Sequence, residues 1–187
     1  MSRRARRRPA DAGSIGEAVV GPLAPADTRA LRREVLRPRE TVAQQAAHEP
    51  PGARAVGAWV GGELVAVGLI GPEARPAVGL VGPEEDPAVG RGGPEMGPDA
   101  GRRDPRGQAS SWRVRGMATA PAHRGRGLGS AVLAELLAIA RAGGAASVWC
   151  TARLSARTLY ERAGFRACSR VYEIPGIGPH VLMELRL

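Results

Sequence analysis

The order of segments along the second half of the chain predicts an α/β fold of the α+β type, a mixed, partly parallel central sheet flanked by helices. Two strand–helix pairs in succession carry this reading: Trp112–Thr119 then Gly127–Ala142, and Ser147–Thr151 then Ser155–Ala163. Parallel strands need a crossover between them, and a helix supplies it. An antiparallel signal lies upstream. The apolar, β-branched runs Arg54–Val60 and Glu63–Ile70 are separated only by Gly61-Gly62, a two-residue hairpin turn.

Taken in order, Glu17–Val20 is a short strand candidate. Ala26–Leu36 sets Ala30, Leu31, Val35 and Leu36 at helical spacing and ends before Pro38. Thr41–Ala47 reads as a second short helix, and the hairpin strands follow. Gly127–Ala142 is the clearest helix, because Leu128, Val132, Leu133, Leu136, Leu137 and Ala140 share one face. Gly143-Gly144 stops it, and Gly164 closes the helix at Ser155–Ala163. Arg166–Glu173 and Val181–Leu187 read as final strands, and Trp59, Trp112 and Trp149 as core residues of theirs.

Composition narrows the class. Of 187 residues 43% are hydrophobic and 24% charged, enough for a packed core. No apolar run approaches the ~20 residues of a membrane-spanning helix. Cys150 and Cys168 cannot build a disulfide scaffold, and with only three histidines a metal site is not expected. The chain therefore reads as cytoplasmic, with no membrane partner. The net charge of +9 suggests a nucleic-acid partner at first. Yet all 27 basic residues are arginine, and the chain lacks lysine and asparagine altogether. So broad an absence points to GC-rich coding rather than to a binding patch.

Two segments exceed what one domain needs. Residues 1–14, with five arginines between Arg3 and Arg8, read as a disordered basic tail without the apolar stretch of a secretory signal. Residues 15–187 read as a single domain interrupted at 71–110 by an eleven-residue repeat: GPEARPAVGLV, GPEEDPAVGRG, GPEMGPDAGRR. Pro and Gly at fixed places in each copy forbid a helix, so the insertion is expected to be a flexible loop.

The stretch Arg124-Gly125-Arg126-Gly127-Leu128-Gly129 stands between a strand and the long helix. Glycines admit positive φ and let a ligand approach the backbone. A helix start offers free N–H groups and the positive end of its dipole, which suits a phosphate. G-x-G-x-x-G fails because Val132 stands at its last position, and without lysine no Walker A loop exists.

The spacing R/Q-x-x-G-x-G/A is met by Arg124, Gly127 and Gly129. With Leu159-Tyr160-Glu161-Arg162-Ala163-Gly164-Phe165 further on, the chain resembles the GNAT superfamily of N-acetyltransferases. The resemblance is strong over 112–173 and looser over 26–70 and 174–187. It implies that the turn Arg124, Gly125, Arg126, Gly127, Leu128, Gly129 and Ser130 binds the pyrophosphate of acetyl-CoA. It implies also that the strand Arg115–Thr119 carries a bulge, with the backbone of Met117, Ala118 and Thr119 holding the pantetheine arm. The family often has Asn seven residues before this Tyr, where Arg153 stands here, whereas Ala156 fits its pattern.

Acetyl transfer to an amine needs a base for the amine, donors for the thioester oxygen and an acid for the leaving sulfur. The resemblance makes Tyr160 the acid, its ordinary pKa of ~10 lying a little above that of a thiol. The base stays open among Glu173, His180 and Glu63, or a route through water. Glu173 and His180 flank the loop Ile174–Pro179. The acceptor is a small-molecule or peptide amine, and a homodimer is compatible with the sequence. Cys150 reads as a buried strand residue and His123 as a turn residue near the phosphates. Two other classes stay open: an acyl-CoA sensor without turnover, and a basic nucleic-acid binder, against which aromatic residues at 3% argue.

Overall fold

Residues 13–15, 18–76 and 111–187 are described by a computed structural model. Contacts group the chain into two units, 1–49 with 54–69 and 116–136, and 50–53 with 70–115 and 137–187.

In the first unit, β1 (Gly13–Ile15) and β2 (Ala18–Leu23) pair antiparallel, Gly13 opposite Val20. β2 pairs in turn with β3 (Arg54–Val60), Ala18 opposite Val60. Gly61 and Gly62 take φ of 56° and 83°, the two positive values that a two-residue turn requires if its twist is to match the strands. The turn leads into β4 (Glu63–Pro72). The Ala120 N–H donates to the Val65 carbonyl at 2.8 Å just beyond the end of β5 (Ser111–Thr119). A 3-10 turn at Pro25–Thr28 opens α1 (Arg29–Leu36), whose Leu31 packs on Val67 and Ala118. The first half of α2 (Leu128–Ala142) buries Val132, Leu133 and Leu136 completely, each contributing about 1.5–3 kcal/mol over exposure.

In the second unit, β5 runs parallel to β6 (Ser147–Arg153), Trp112 opposite Val148. β9 (Gly178–Arg186) lies antiparallel to β6, Cys150 opposite Met183. Two short strands, β7 (Arg166–Ala167) and β8 (Tyr172–Ile174), pair with β9 as well. α2 ends where Gly144 turns left-handed (φ 74°) and the Ala145 N–H reaches back to the Ala140 carbonyl, a Schellman closure. Trp59, Trp112 and Trp149 are all buried.

Several boundaries differ from the sequence reading; the last strand, for one, starts at Gly178 rather than Val181 and so takes in His180. Gly13 and Ser14, placed in the basic tail, belong to β1; residues 1–12 lie outside the described residues. The segment 166–173 is two short strands rather than one, because Cys168 and Ser169 bond to Leu182 as a connection, Ser169 through its hydroxyl. The second short helix is a 3-10 turn at Gln44–His48. The repeat also begins inside the sheet: Gly71 and Pro72 are the end of β4, and Glu73 is tied at every polar group. Its N–H donates to Ser111 O (3.1 Å), its carbonyl accepts from Trp149 Nε1 (2.9 Å), and its carboxylate takes Arg113 and Arg115 at 2.7 and 2.6 Å. Residues 77–110, the rest of the expected flexible insertion, lie outside the described residues.

Candidate active site

The first unit holds the glycine turn. β5 alternates buried and half-buried residues up to Arg115, then the alternation breaks at Gly116, which takes φ of 59°. A positive φ there kinks the strand locally, at the position where the resemblance implies a bulge. Ala118 is buried against α1, while Met117 and Thr119 are half-buried. A 3-10 turn at Pro121–His123 then swings the chain into the glycines.

Gly125 and Gly127 take φ of 74° and 77°, and a Cβ built on either meets nothing within 4 Å. Glycine is therefore required here by backbone conformation rather than by the protein's own packing, and the space beside it is open. Leu128 is buried and anchors the first turn of α2. The Ala131 N–H bonds back to the Gly127 carbonyl at 3.0 Å. The amides of Leu128, Gly129 and Ser130 precede it and are those a helix start leaves without intrahelical acceptors. Arg124 Nε donates to the Thr119 carbonyl (3.2 Å), stapling the turn to the end of β5. Arg126 donates to His123 Nδ1 at 3.2 Å. Both arginines are exposed, so their remaining donors are available to an anion.

The second unit holds Tyr160, on α3 (Arg157–Arg162). The signature around it has a local cause. Gly164 turns left-handed (φ 92°), and Phe165 N–H returns to the Tyr160 carbonyl at 3.0 Å. Phe165 then packs edge-on against the Tyr160 ring, centroids 5.4 Å apart. Tyr160 is 5% exposed. Its hydroxyl, the stronger donor of the pair, bonds the Cys150 sulfur. Burial pushes the tyrosine well above its ordinary range, with Cys150 adding to the rise. The sequence argument assumed an ordinary tyrosine; in the structure Tyr160 holds its proton more tightly. Burial likewise pushes the Cys150 thiol far up, so a thiolate nucleophile is not available there.

The base candidates part company. Cross-strand partners share a face and neighbours alternate. His180 lies opposite Tyr172 on β8 and Arg153 on β6, whereas Glu173 lies opposite Pro179. Counting along β9 and β6, Glu173 falls on the face of Met183 and Cys150, and His180 on the other. His180 is buried, its ring 6.5 Å from that of Tyr172, and its Nδ1–H donates to the Gly178 carbonyl at 2.7 Å. In a neutral ring that bond leaves Nε2 as the acceptor nitrogen. Glu173 and Glu63 are exposed. The loop between the strands is tighter than expected, with Ile177 N–H closing on the Ile174 carbonyl at 3.0 Å. Among the described residues no three His, Cys, Asp or Glu side chains cluster as metal ligands would, and no helix is long and apolar enough to cross a membrane.

Comparison with known proteins identifies the class that this turn and sheet define. The acetyltransferase (GNAT) family pattern matches residues 23–165. The chain belongs to that family, and it is an acyltransferase. An uncharacterized N-acetyltransferase, YitI of Bacillus subtilis (strain 168), is 25% identical over 159 residues, 84% of this chain and 88% of that protein. The structure of a GCN5-related N-acetyltransferase from Kribbella flavida is 18% identical with a TM-score of 0.61, covering 91% of this chain and 98% of the other. That of yncA, a putative acetyltransferase from Salmonella typhimurium solved with its cofactor acetyl-CoA, is 15% identical with a TM-score of 0.58, covering 92% and 95%. These solved structures share the fold of this chain.

Proposed function

We propose that the protein transfers the acetyl group of acetyl-CoA to a primary amine, of a small molecule or a peptide, by direct attack in a ternary complex. The observation that carries this is the turn: two left-handed glycines beside open space, at the start of a fifteen-residue helix and flanked by exposed arginines. A pyrophosphate fits those donors, since it needs close backbone approach, several N–H groups and positive charge. Bound acetyl-CoA supplies an acetyl group activated as a thioester.

The residues then divide the work. Amides 128–130 and the arginines hold the anion. Backbone N–H groups at Met117–Thr119 serve the oxygen that gains charge. As the nitrogen–carbon bond forms and the carbon–sulfur bond breaks, Tyr160 supplies a proton to the sulfur. Its raised pKa keeps it protonated throughout the working range and makes it a weaker acid than an ordinary tyrosine, so the transfer depends on negative charge building on the sulfur. Glu173 is the base candidate on the face of Cys150, and takes the amine proton directly or through water.

Calorimetry with acetyl-CoA, followed by thiol release across a panel of amines, tests the reading. No binding, or binding without release for any amine, removes it. For the base, Glu173→Gln should depress the rate and displace the acid limb of its pH profile, while His180→Gln should leave that limb in place. The reverse outcome transfers the role to His180.

A further inference from the structure

Among the described residues, two buried side-chain polar atoms lack a hydrogen-bond partner, Arg32 Nε and Arg113 Nε. Arg113 is otherwise well held: it bonds Glu73 at 2.7 Å and lies 4.2 Å over the Trp149 ring. Arg32 is different. It is 2% exposed, and its three contacts are all long: Thr28 Oγ1, Glu49 Oε1 and the Gln45 carbonyl, each at 3.3 Å. The one carboxylate in reach is shared, because Arg29 takes Glu49 through two bonds of 2.7 and 2.8 Å. A guanidinium keeps its charge even when buried. The protein therefore keeps a weakly compensated cation out of water, which is costly.

The position of that cation is specific. A Cβ on Gly116 would meet Arg32 Nε at 2.6 Å and Cδ at 3.0 Å. The arginine occupies the space that Gly116 leaves open, against the kink of β5. Leu31, its neighbour on α1, packs on Ala118 two residues further along the same strand.

We propose that Arg32 is a positioning residue for acetyl transfer: seated in the space beside Gly116, its guanidinium holds the kink of β5 in shape and sets a fixed positive charge next to the backbone of residues 116–118. The inference rests on the donor reading above, in which that backbone faces the thioester oxygen. A cation behind the N–H groups strengthens them in a water-excluded setting, where charge acts over longer range than in solvent. Arg32 acts through the backbone and touches no substrate. The same view explains the retention of a charge that an apolar side chain of similar volume would replace at little cost in stability.

The test compares Arg32→Met, Arg32→Lys and Glu49→Gln in the full chain, reading melting temperature, acetyl-CoA affinity by calorimetry, and kcat and KM of thiol release. Arg32→Met leaves Glu49 paired with Arg29, so the variant should fold and bind acetyl-CoA within ~3-fold of wild type, with kcat down ~10–10²-fold, somewhat below the loss of a direct oxyanion donor. Arg32→Lys, which keeps the charge, should recover part of kcat. Glu49→Gln, which removes the counter-charge, should hold or raise kcat even as it lowers the melting temperature. A folded Arg32→Met with wild-type kcat overturns the proposal. So does a Glu49→Gln variant that loses kcat in step with stability, and that variant decides the matter if Arg32→Met fails to fold. Wild-type protein that neither binds acetyl-CoA nor releases its thiol overturns the donor reading itself, an outcome visible before any variant is made.

Discussion

At the turn of residues 124–127 every residue is exposed, whereas Tyr160 is 5% exposed and shares its hydroxyl with Cys150. In the proposed reading the turn works through backbone amides at the start of α2, behind two left-handed glycines, and the tyrosine through one oxygen set in a packed core. Changes in the turn should therefore alter binding without disturbing any packing, leaving only the strain of a left-handed side chain as a cost to stability, because nothing packs against Gly125 or Gly127. Changes at Tyr160 couple chemistry to packing, because its ring also supports Phe165.

The sharpest break of this contrast is Tyr160→Phe. The ring and its contact with Phe165 stay, and only the donor goes. Turnover should fall ~10²–10³-fold, within the usual weight of a positioned acid, at nearly constant acetyl-CoA affinity. The melting temperature should move by less than about 4 °C, since one hydroxyl–thiol bond is lost. A rate close to wild type would show that the buried hydroxyl serves packing alone.

Next in size is Gly127→Val. A β-branched residue at φ 77° is strained, and its side chain would enter the open space beside the turn. Acetyl-CoA affinity should fall ~10–10²-fold with circular dichroism unchanged. Gly125→Ala isolates the conformational part and should cost less, of the order of the ~1–2 kcal/mol of a left-handed alanine. Unaltered affinity in both variants would place the phosphates elsewhere.

The smallest effect expected is at Glu73, where a charged side chain serves stability alone. Burial pushes its carboxyl up, but hydrogen bonds and charges from Arg115 and Arg113 outweigh this and hold it below its ordinary 4.5. A depressed carboxyl stabilises above the unfolded pKa, and the contribution is lost as pH falls through the lower folded value. Urea titrations should show wild-type stability declining below about pH 4.5. Glu73→Gln should be flatter there and weaker at pH 7 by about 1–2 kcal/mol. A Gln variant with an unchanged pH curve would detach Glu73 from acid unfolding.

Much of the fold and of the turn was legible because its causes are local. Gly61-Gly62, Gly143-Gly144 and Gly164 each mark a left-handed stop, and the apolar spacing of α2 fixes its buried face. The element ends were less legible. Pro72 read as the start of a flexible repeat, yet it completes a strand because Glu73 is held by Arg113, Arg115 and Trp149, residues far along the chain. Arg32 carried no signal at all, since in sequence it is one arginine among 27.

What the sequence determined by itself, then, is whatever depends on neighbours within one turn or hairpin: the φ-permissive glycines, the helix start behind them, and the Tyr160–Phe165 corner. Tertiary structure decided which charges are hidden and which face each side chain takes. Register across β6, β8 and β9 set Glu173 and His180 on opposite faces, although in sequence they merely flank one loop. Packing of α1 on β4 and β5 buried Arg32 beside Gly116. Burial and partnership are sums over residues distant in the chain, so no local pattern encodes them.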